Sequence, residues 1–324
     1  MSRHIPLFSL LCLLSCVEEK PQSSGPTAKE PTTPSVEETS LVLLGTIQDA
    51  GYPQIGCKKE CCTAAFAKTG TPREVVSLGL IDKETDHTYL FEASPDIVRQ
   101  MKRLVTYEPN SNKEMVDGIF LTHAHIGHYT GLMYLGKEAT NADNVPVYAM
   151  PRMRSFLTDN GPWSQLVSQK NIRLQNIARG QTVALSPTLQ VTPYLVPHRD
   201  EYSETVGYNI QGPNKSALFI PDIDKWDQWE KDIVAEVKKV DYAFLDATFY
   251  SGKELATRDI SQIPHPFVIE SMEAFDGLPR AEKQKIVFIH FNHTNPLIDT
   301  TSTEAQQVLE QGYRIGYPDT VFPM

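Results

Sequence analysis

The sequence predicts a mixed α/β protein built as a four-layer αββα body. Two observations carry this prediction. Strand-like apolar runs come in consecutive groups with helical stretches interspersed, which suggests two sheets packed between helices. The residues best able to do chemistry fall at or just past the ends of those runs, where one rigid sheet edge could position them all. No obvious repeat or linker splits the region that follows the N-terminal segments, so residues 40–324 read as one domain.

The elements follow in order. Leu41–Ile47 is an apolar run that reads as a buried strand. Val75–Asp82 and Thr88–Glu92 read as a strand pair, with the polar stretch Asp82–Asp86 as the turn between them. Pro95–Leu104 carries Ile97, Val98, Met101 and Leu104 at helical spacing behind a proline, with Ser94 as cap and Asp96 as a first-turn acid. Gly118–Leu121 is a short buried strand, and Val145–Met150 is another. The stretch near Met153 and Trp163–Gln169 read as short helices. Leu189–Leu195, Val206–Gln211 and Ala217–Ile220 read as strands. Lys231–Val240 places Ile233, Val234, Val237 and Val240 on one helical face. Asp241–Asp246 and Lys285–His290 are buried strands ending in polar residues, and Glu304–Leu309 is a final helix.

The N-terminus reads as a targeting segment. Arg3 and His4 precede an apolar run, Ile5–Leu14, that is too short to span a bilayer. The sequence Leu13-Leu14-Ser15-Cys16 resembles the lipobox of bacterial lipoproteins. That resemblance implies a signal peptide over 1–15, a lipid on Cys16, and an exported domain anchored to a bacterial membrane. An ordinary signal peptide with a chance cysteine is the alternative. Residues 16–39 are rich in Pro, Ser, Thr and Glu and lack apolar periodicity, so they read as a disordered tether. The net charge of −10 argues against a nucleic-acid groove, which needs a basic stripe.

Leu121-Thr-His-Ala-His-Ile-Gly-His128 is the strongest chemical signal. His123 and His125 are two apart on an extended segment, so they point the same way, and His128 returns from the following turn. Imidazole nitrogen suits zinc, iron and other borderline transition metals. A second cluster, Cys57, Cys61 and Cys62, is left after Cys12 departs with the signal and Cys16 is lipidated. Three thiols cannot all pair. Either they bind a metal, or Cys57 bonds one neighbour and leaves a free thiol.

His-x-His-x-x-His after a buried strand resembles the hallmark of the metallo-β-lactamase superfamily, which implies that fold for the αββα body. The family pattern has an aspartate where this chain has Gly127. That aspartate binds the second metal, so the resemblance implies a weakened second position here. It further implies that His198, in Leu195-Val-Pro-His198, completes a first metal position with His123 and His125. Asp222, in Leu218-Phe-Ile-Pro-Asp222, would bridge, and His290, in Val287-Phe-Ile-His290, would join His128 at a second metal.

A closer resemblance spans nearly the whole folded region. Leu44-Gly-Thr-Ile-Gln-Asp-Ala-Gly-Tyr-Pro-Gln54, Ala93-Ser-Pro-Asp96, Tyr129-Thr-Gly-Leu132 and His290-Phe-Asn-His-Thr-Asn-Pro296 are similar to pyrroloquinoline-quinone biosynthesis protein B. That family usually lacks the full histidine cluster. The chain also resembles the phosphodiesterase branch of phosphonate degradation, which implies a structural zinc on Cys57, Cys61, Cys62 and His293. Adjacent Cys61 and Cys62 depart from that branch's spacing. The same branch implies that His265, in Ile263-Pro-His-Pro266, gives a proton to a leaving group, the alternative being an exposed loop histidine. Asp246 reads either as support for a ligand or as a strand-end acid facing solvent.

The expected function is a metallohydrolase with one or two zinc ions in its active site, manganese or iron being possible, acting on a small-molecule phosphodiester or cyclic ester. The rivals are an oxidative enzyme and a non-catalytic metal- or ligand-binding lipoprotein.

Overall fold

The computed structural model describes residues 36–67, 73–107, 113–255 and 263–324, which form one compact unit. The signal segment 1–15, Cys16 with its lipid, and the tether up to residue 35 lie outside the described residues. Thr39, at the tether's end, is buried, and its carbonyl accepts a hydrogen bond from Met324 N. The chain is therefore already part of the body there. Among the described residues no helix is long and apolar enough to cross a membrane.

Among the described residues, fourteen strands form two seven-stranded sheets. The first contains β1 (Ser40–Gly45), β2 (Ser77–Asp82), β3 (His87–Phe91), β4 (Gly118–Phe120), β5 (Val145–Ala149), β6 (Ile172–Asn176) and β14 (Val321–Pro323) in the order β14-β1-β2-β3-β4-β5-β6. The second contains β7 (Val183–Ala184), β8 (Gln190–Leu195), β9 (Val206–Gln211), β10 (Ser216–Ile220), β11 (Tyr242–Asp246), β12 (Ile286–Ile289) and β13 (Arg314–Ile315) in the order β13-β12-β11-β10-β9-β8-β7. Each sheet is antiparallel over one half and parallel over the other. In consequence β1, β3 and β4 run in one direction in the first sheet, and β8, β10, β11 and β12 do so in the second. Their C-terminal ends form the edges that carry the site.

Four layers follow from where the apolar side chains go. Between the sheets lie Leu43, Leu78, Leu80, Phe91, Phe120, Tyr208, Phe219, Phe244 and Val287. Phe120 stacks on Phe91 with centroids 4.9 Å apart and on Tyr148 at 4.2 Å. On the outer face of the first sheet, α2 (Ile97–Thr106) packs Ile97, Met101 and Leu104 against Val42, Leu90 and Ile119. On the outer face of the second, α6 (Ile233–Lys238), α7 (Val268–Ala274) and α9 (Thr303–Glu310) contribute Ile233, Val237, Val268, Met272 and Val308. Each such side chain removed from water contributes roughly 1.5–3 kcal/mol.

The predicted elements recur with shifted ends. The helix predicted from Pro95 begins at Ile97 instead, because Asp96 is used otherwise: its carboxylate accepts hydrogen bonds from Val75 N and from Arg99. Ser94 Oγ caps the turn by accepting from Asp96 N at 3.1 Å. Helix α1 (Glu60–Ala67), β6, β7, β13 and β14 have no counterpart in the sequence reading.

Candidate metal centre

The extended chain after β4 delivers His123 and His125, and the short helix α3 (Ile126–Tyr129) turns His128 back toward them. His198 follows β8 and Asp222 follows β10. Four atoms converge. His123 Nε2 lies 2.9 Å from His125 Nδ1, His198 Nε2 lies 3.3 Å from His125 Nδ1, and Asp222 Oδ2 sits 3.4 Å from His123 Nε2 and 3.2 Å from His198 Nε2. A tetrahedral zinc with bonds of about 2.0–2.1 Å holds its ligand atoms about 3.3 Å apart. His123, His125, His198 and Asp222 therefore fit such an ion.

Asp222 Oδ2 also lies 3.8 Å from His128 Nε2. His128 and His290, which follows β12, meet a third residue there: Asp49, on the loop after β1. Asp49 Oδ1 is 3.0 Å from His128 Nε2 and 3.9 Å from His290 Nε2. A carboxylate thus lies beside His128 and His290 where Gly127 offers none, drawn from elsewhere in the chain. Sequence reasoning missed Asp49 because a lone acid in Gln-Asp-Ala-Gly reads as a turn residue. The one available signal was the gap that Gly127 leaves.

The outer nitrogens of these histidines are held in turn. Thr122 Oγ1 donates to Glu92 Oε1 at 2.5 Å and so accepts from His123 Nδ1 at 2.9 Å, leaving Nε2 to face the centre. The second sheet repeats the device: Thr248 Oγ1 donates to Asp246 Oδ1 at 2.7 Å and accepts from His290 Nδ1 at 2.8 Å. His198 Nδ1 meets Asp224 Oδ1 at 3.0 Å, and His125 Nε2 meets Glu201 Oε2 at 3.2 Å. Such partners fix tautomer and ring orientation. Glu92 and His290 both have positive φ (76° and 66°), a strained backbone for residues with side chains, which turns them off their strands into the site.

The electrostatics demand cations. Asp222, Glu92 and Asp246 are buried together, and the Oδ1 atom of half-buried Asp49 is buried beside them. Burial alone would raise Asp222, yet the charges of His198, His265 and His290 hold it well below the usual carboxylate range. Burial would likewise raise Asp49, but the imidazoles of His128 and His290 close beside it hold it well below the usual carboxylate range. Burial works against protonated His198, but Asp222 and Asp224 raise it to about 9. Buried anions in this number require positive partners, which protons on histidine or a bound divalent cation can supply.

His265 is not an exposed loop histidine. It is 8 % exposed, and its Nδ1 lies 2.8 Å from Asp246 Oδ2 and 3.0 Å from Asp222 Oδ1. Asp246 is fully buried and does not face solvent. Burial opposes the His265 charge, but Asp246 and Asp222 raise the imidazole well above its ordinary value.

Cys57, Cys61, Cys62 and His293 form a separate cluster, with all three thiols free, so no Cys57 disulfide is present. Cys61 Sγ lies 3.9 Å from Cys62 Sγ, and His293 Nδ1 lies 3.8 and 3.3 Å from the two. Tetrahedral zinc with thiolate and imidazole ligands needs separations of about 3.6–3.8 Å. Adjacent cysteines at the start of α1 can therefore both reach one ion.

Fold and site together define a class: residues 87–291 match the beta-lactamase superfamily domain, and the chain belongs to that family. Among curated relatives, coenzyme PQQ synthesis protein B of Methylorubrum extorquens (strain PA1) is 24% identical over 301 residues, covering 86% of this chain and 97% of that protein. The same-named protein of Methylobacillus flagellatus is 25% identical over 304 residues, covering 85% and 96%. Among solved structures, Zn(2+)-bound PqqB from Methylobacterium extorquens superposes with a TM-score of 0.71 at 23% identity, covering 88% of this chain and 100% of that one. A diphosphatase from the PhnP family gives 0.60 at 20% identity, covering 88% and 96%.

Proposed function

We propose that this chain is a metallohydrolase acting on a phosphodiester or a cyclic ester. The carrying observation is the convergence of His123 Nε2, His125 Nδ1 and His198 Nε2 on Asp222 Oδ2, with the His265 imidazole held by Asp246 on the opposite side of that carboxylate. His123, His125, His198 and Asp222 would hold one ion and Asp49, His128 and His290 a second, with Asp222 reaching both; zinc suits both donor sets. Bound there, a divalent cation supplies acidified water and neutralises charge developing on a substrate oxygen.

The protein's own groups do the rest. Asp222 orients the attacking water, its other oxygen lying 3.0 Å from the His265 imidazole as an ion-pair neighbour. Protonated His265 donates its Nδ1–H to Asp246 Oδ2, with Asp222 Oδ1 close by at 3.0 Å, so the proton on its other nitrogen is the one offered to the leaving oxygen. Cys57, Cys61, Cys62 and His293 would hold a structural zinc away from the chemistry.

The test uses the full chain purified metal-replete, with elemental mass spectrometry beside hydrolysis of bis-p-nitrophenyl phosphate and simple lactones. Bound zinc or manganese and turnover lost in His123→Ala are expected. Absence of any bound transition metal would sink the reading. His265→Ala should lower kcat by roughly 10²–10⁴ while leaving the metal content unchanged; a changed metal content would make His265 a ligand instead.

A second reading, oxidation of a small substrate at iron, is favoured by sequence similarity to PQQ synthesis protein B over most of the chain. Histidine and carboxylate ligands also suit iron. Redox-active iron in the same measurement, without hydrolysis, would favour it. Tight metal binding with neither activity would favour a binding protein.

A further inference from the structure

The second position holds three buried atoms that no directed hydrogen bond satisfies: Asp49 Oδ1, His128 Nε2 and His290 Nε2. His128 and His290 are fully buried. In its neutral form His290 gives its Nδ1 proton to Thr248, so its Nε2 presents a lone pair. Asp49 Oδ1 can only accept. A carboxylate oxygen and imidazole lone pairs turned toward one another in a buried site are costly unless a proton or a metal cation lies between them.

Asp49 reaches this place because the segment after β1 is tied to the segment after β12. Ile47 bridges Phe291, and Gln48 N donates to Phe291 O at 2.9 Å. Its carboxylate then lies over Gly127, where the absence of a side chain is essential. A Cβ on Gly127 would stand 2.2 Å from Asp49 Oδ1 and 2.6 Å from Asp49 Cα. The second contact is with backbone and cannot be relieved by rotating a side chain. An acid at 127 and an acid at 49 are therefore alternative occupants of one volume.

We propose that Asp49 is the carboxylate ligand of the second metal position, a divalent transition-metal ion bound with His128 and His290, and that Gly127 is the vacancy that admits it. The aspartate expected within the histidine motif has been replaced from 78 positions away (127 less 49). The proposal rests on the metal-binding half of the functional reading and not on the hydrolytic half.

The experiment counts metal. Full-length protein, Asp49→Asn and Gly127→Ala are stripped, titrated with zinc alone, and analysed by elemental mass spectrometry and calorimetry, beside His123→Ala and Cys57→Ser. Asp49→Asn keeps the shape of the side chain and is the variant to rely on if Asp49→Ala fails to fold. Wild type is expected to bind one equivalent more than Asp49→Asn, and that equivalent is distinct from those lost in His123→Ala and Cys57→Ser. Gly127→Ala should lose the same equivalent as Asp49→Asn. An unchanged count in Asp49→Asn would overturn the ligand assignment and make Asp49 an ion-pair partner of His128 only. An unchanged count in Gly127→Ala would overturn the exclusion. Loss of zinc binding at the His123 group in wild type would instead overturn the functional reading.

Discussion

At the scale of single residues, the centre divides into groups that aim at a metal and groups that aim those groups. Thr122 and Thr248 belong to the second kind: each stands between a buried carboxylate and a histidine, one on each sheet. Thr248→Val keeps the shape and removes the hydroxyl, so it leaves His290 Nδ1 and Asp246 Oδ1 without their shared partner. Metal affinity at the second position should fall by about 10–100-fold, read by zinc titration; an unchanged affinity would show that the hydroxyl does not orient the ring. Much of this scale was legible beforehand. His123, His125 and His128 announce themselves because three imidazoles within six residues after a strand are hard to explain otherwise. Asp49, Glu92 and Thr248 do not, because what each becomes depends on a partner distant in sequence. Glu92 reads as an ordinary strand-end acid until its positive φ turns it inward against His128, 3.2 Å away.

At the scale of elements, the sandwich is held by aromatic side chains that the two sheets present to each other. Phe120 stacks on Phe91 and Tyr148 and meets Tyr208 edge-on with centroids 5.6 Å apart. Phe120→Ala should cost about 3–5 kcal/mol, measured by chemical denaturation of the metal-free protein; a loss below 1 kcal/mol would show that neighbours close the cavity. Phe120 ends the strand that launches His123, so stability and site geometry share this residue. The long apolar strands and the helices with periodic apolar faces were readable because burial imposes those patterns. The elements that were not readable have little to bury. α1 buries only Cys62 among its side chains, β6 alternates weakly as an edge strand, and β13 and β14 are two and three residues long. Their existence depends on the sheet they join.

At the scale of the whole molecule, the donors to the centre come from both sheets. Asp49, His123, His125 and His128 follow strands of the first, and His198, Asp222 and His290 follow strands of the second. A cation held by native protein and not by the unfolded chain adds stability by mass action, about 2.7 kcal/mol per site at a hundredfold excess over Kd. Stripping with a chelator should therefore lower Tm, and restoring zinc should return it; a Tm indifferent to both would mean that the native centre binds zinc no better than the unfolded chain does. A peptide containing residues 1–150 would carry the whole histidine motif and still lack three of the seven donors, so a nascent chain leaving a ribosome cannot complete the first donor set until Asp222 has emerged, or the second until His290 has. Complete loading is thereby deferred to the end of synthesis, and an ion in the finished centre certifies that both halves of the protein have been made and have met.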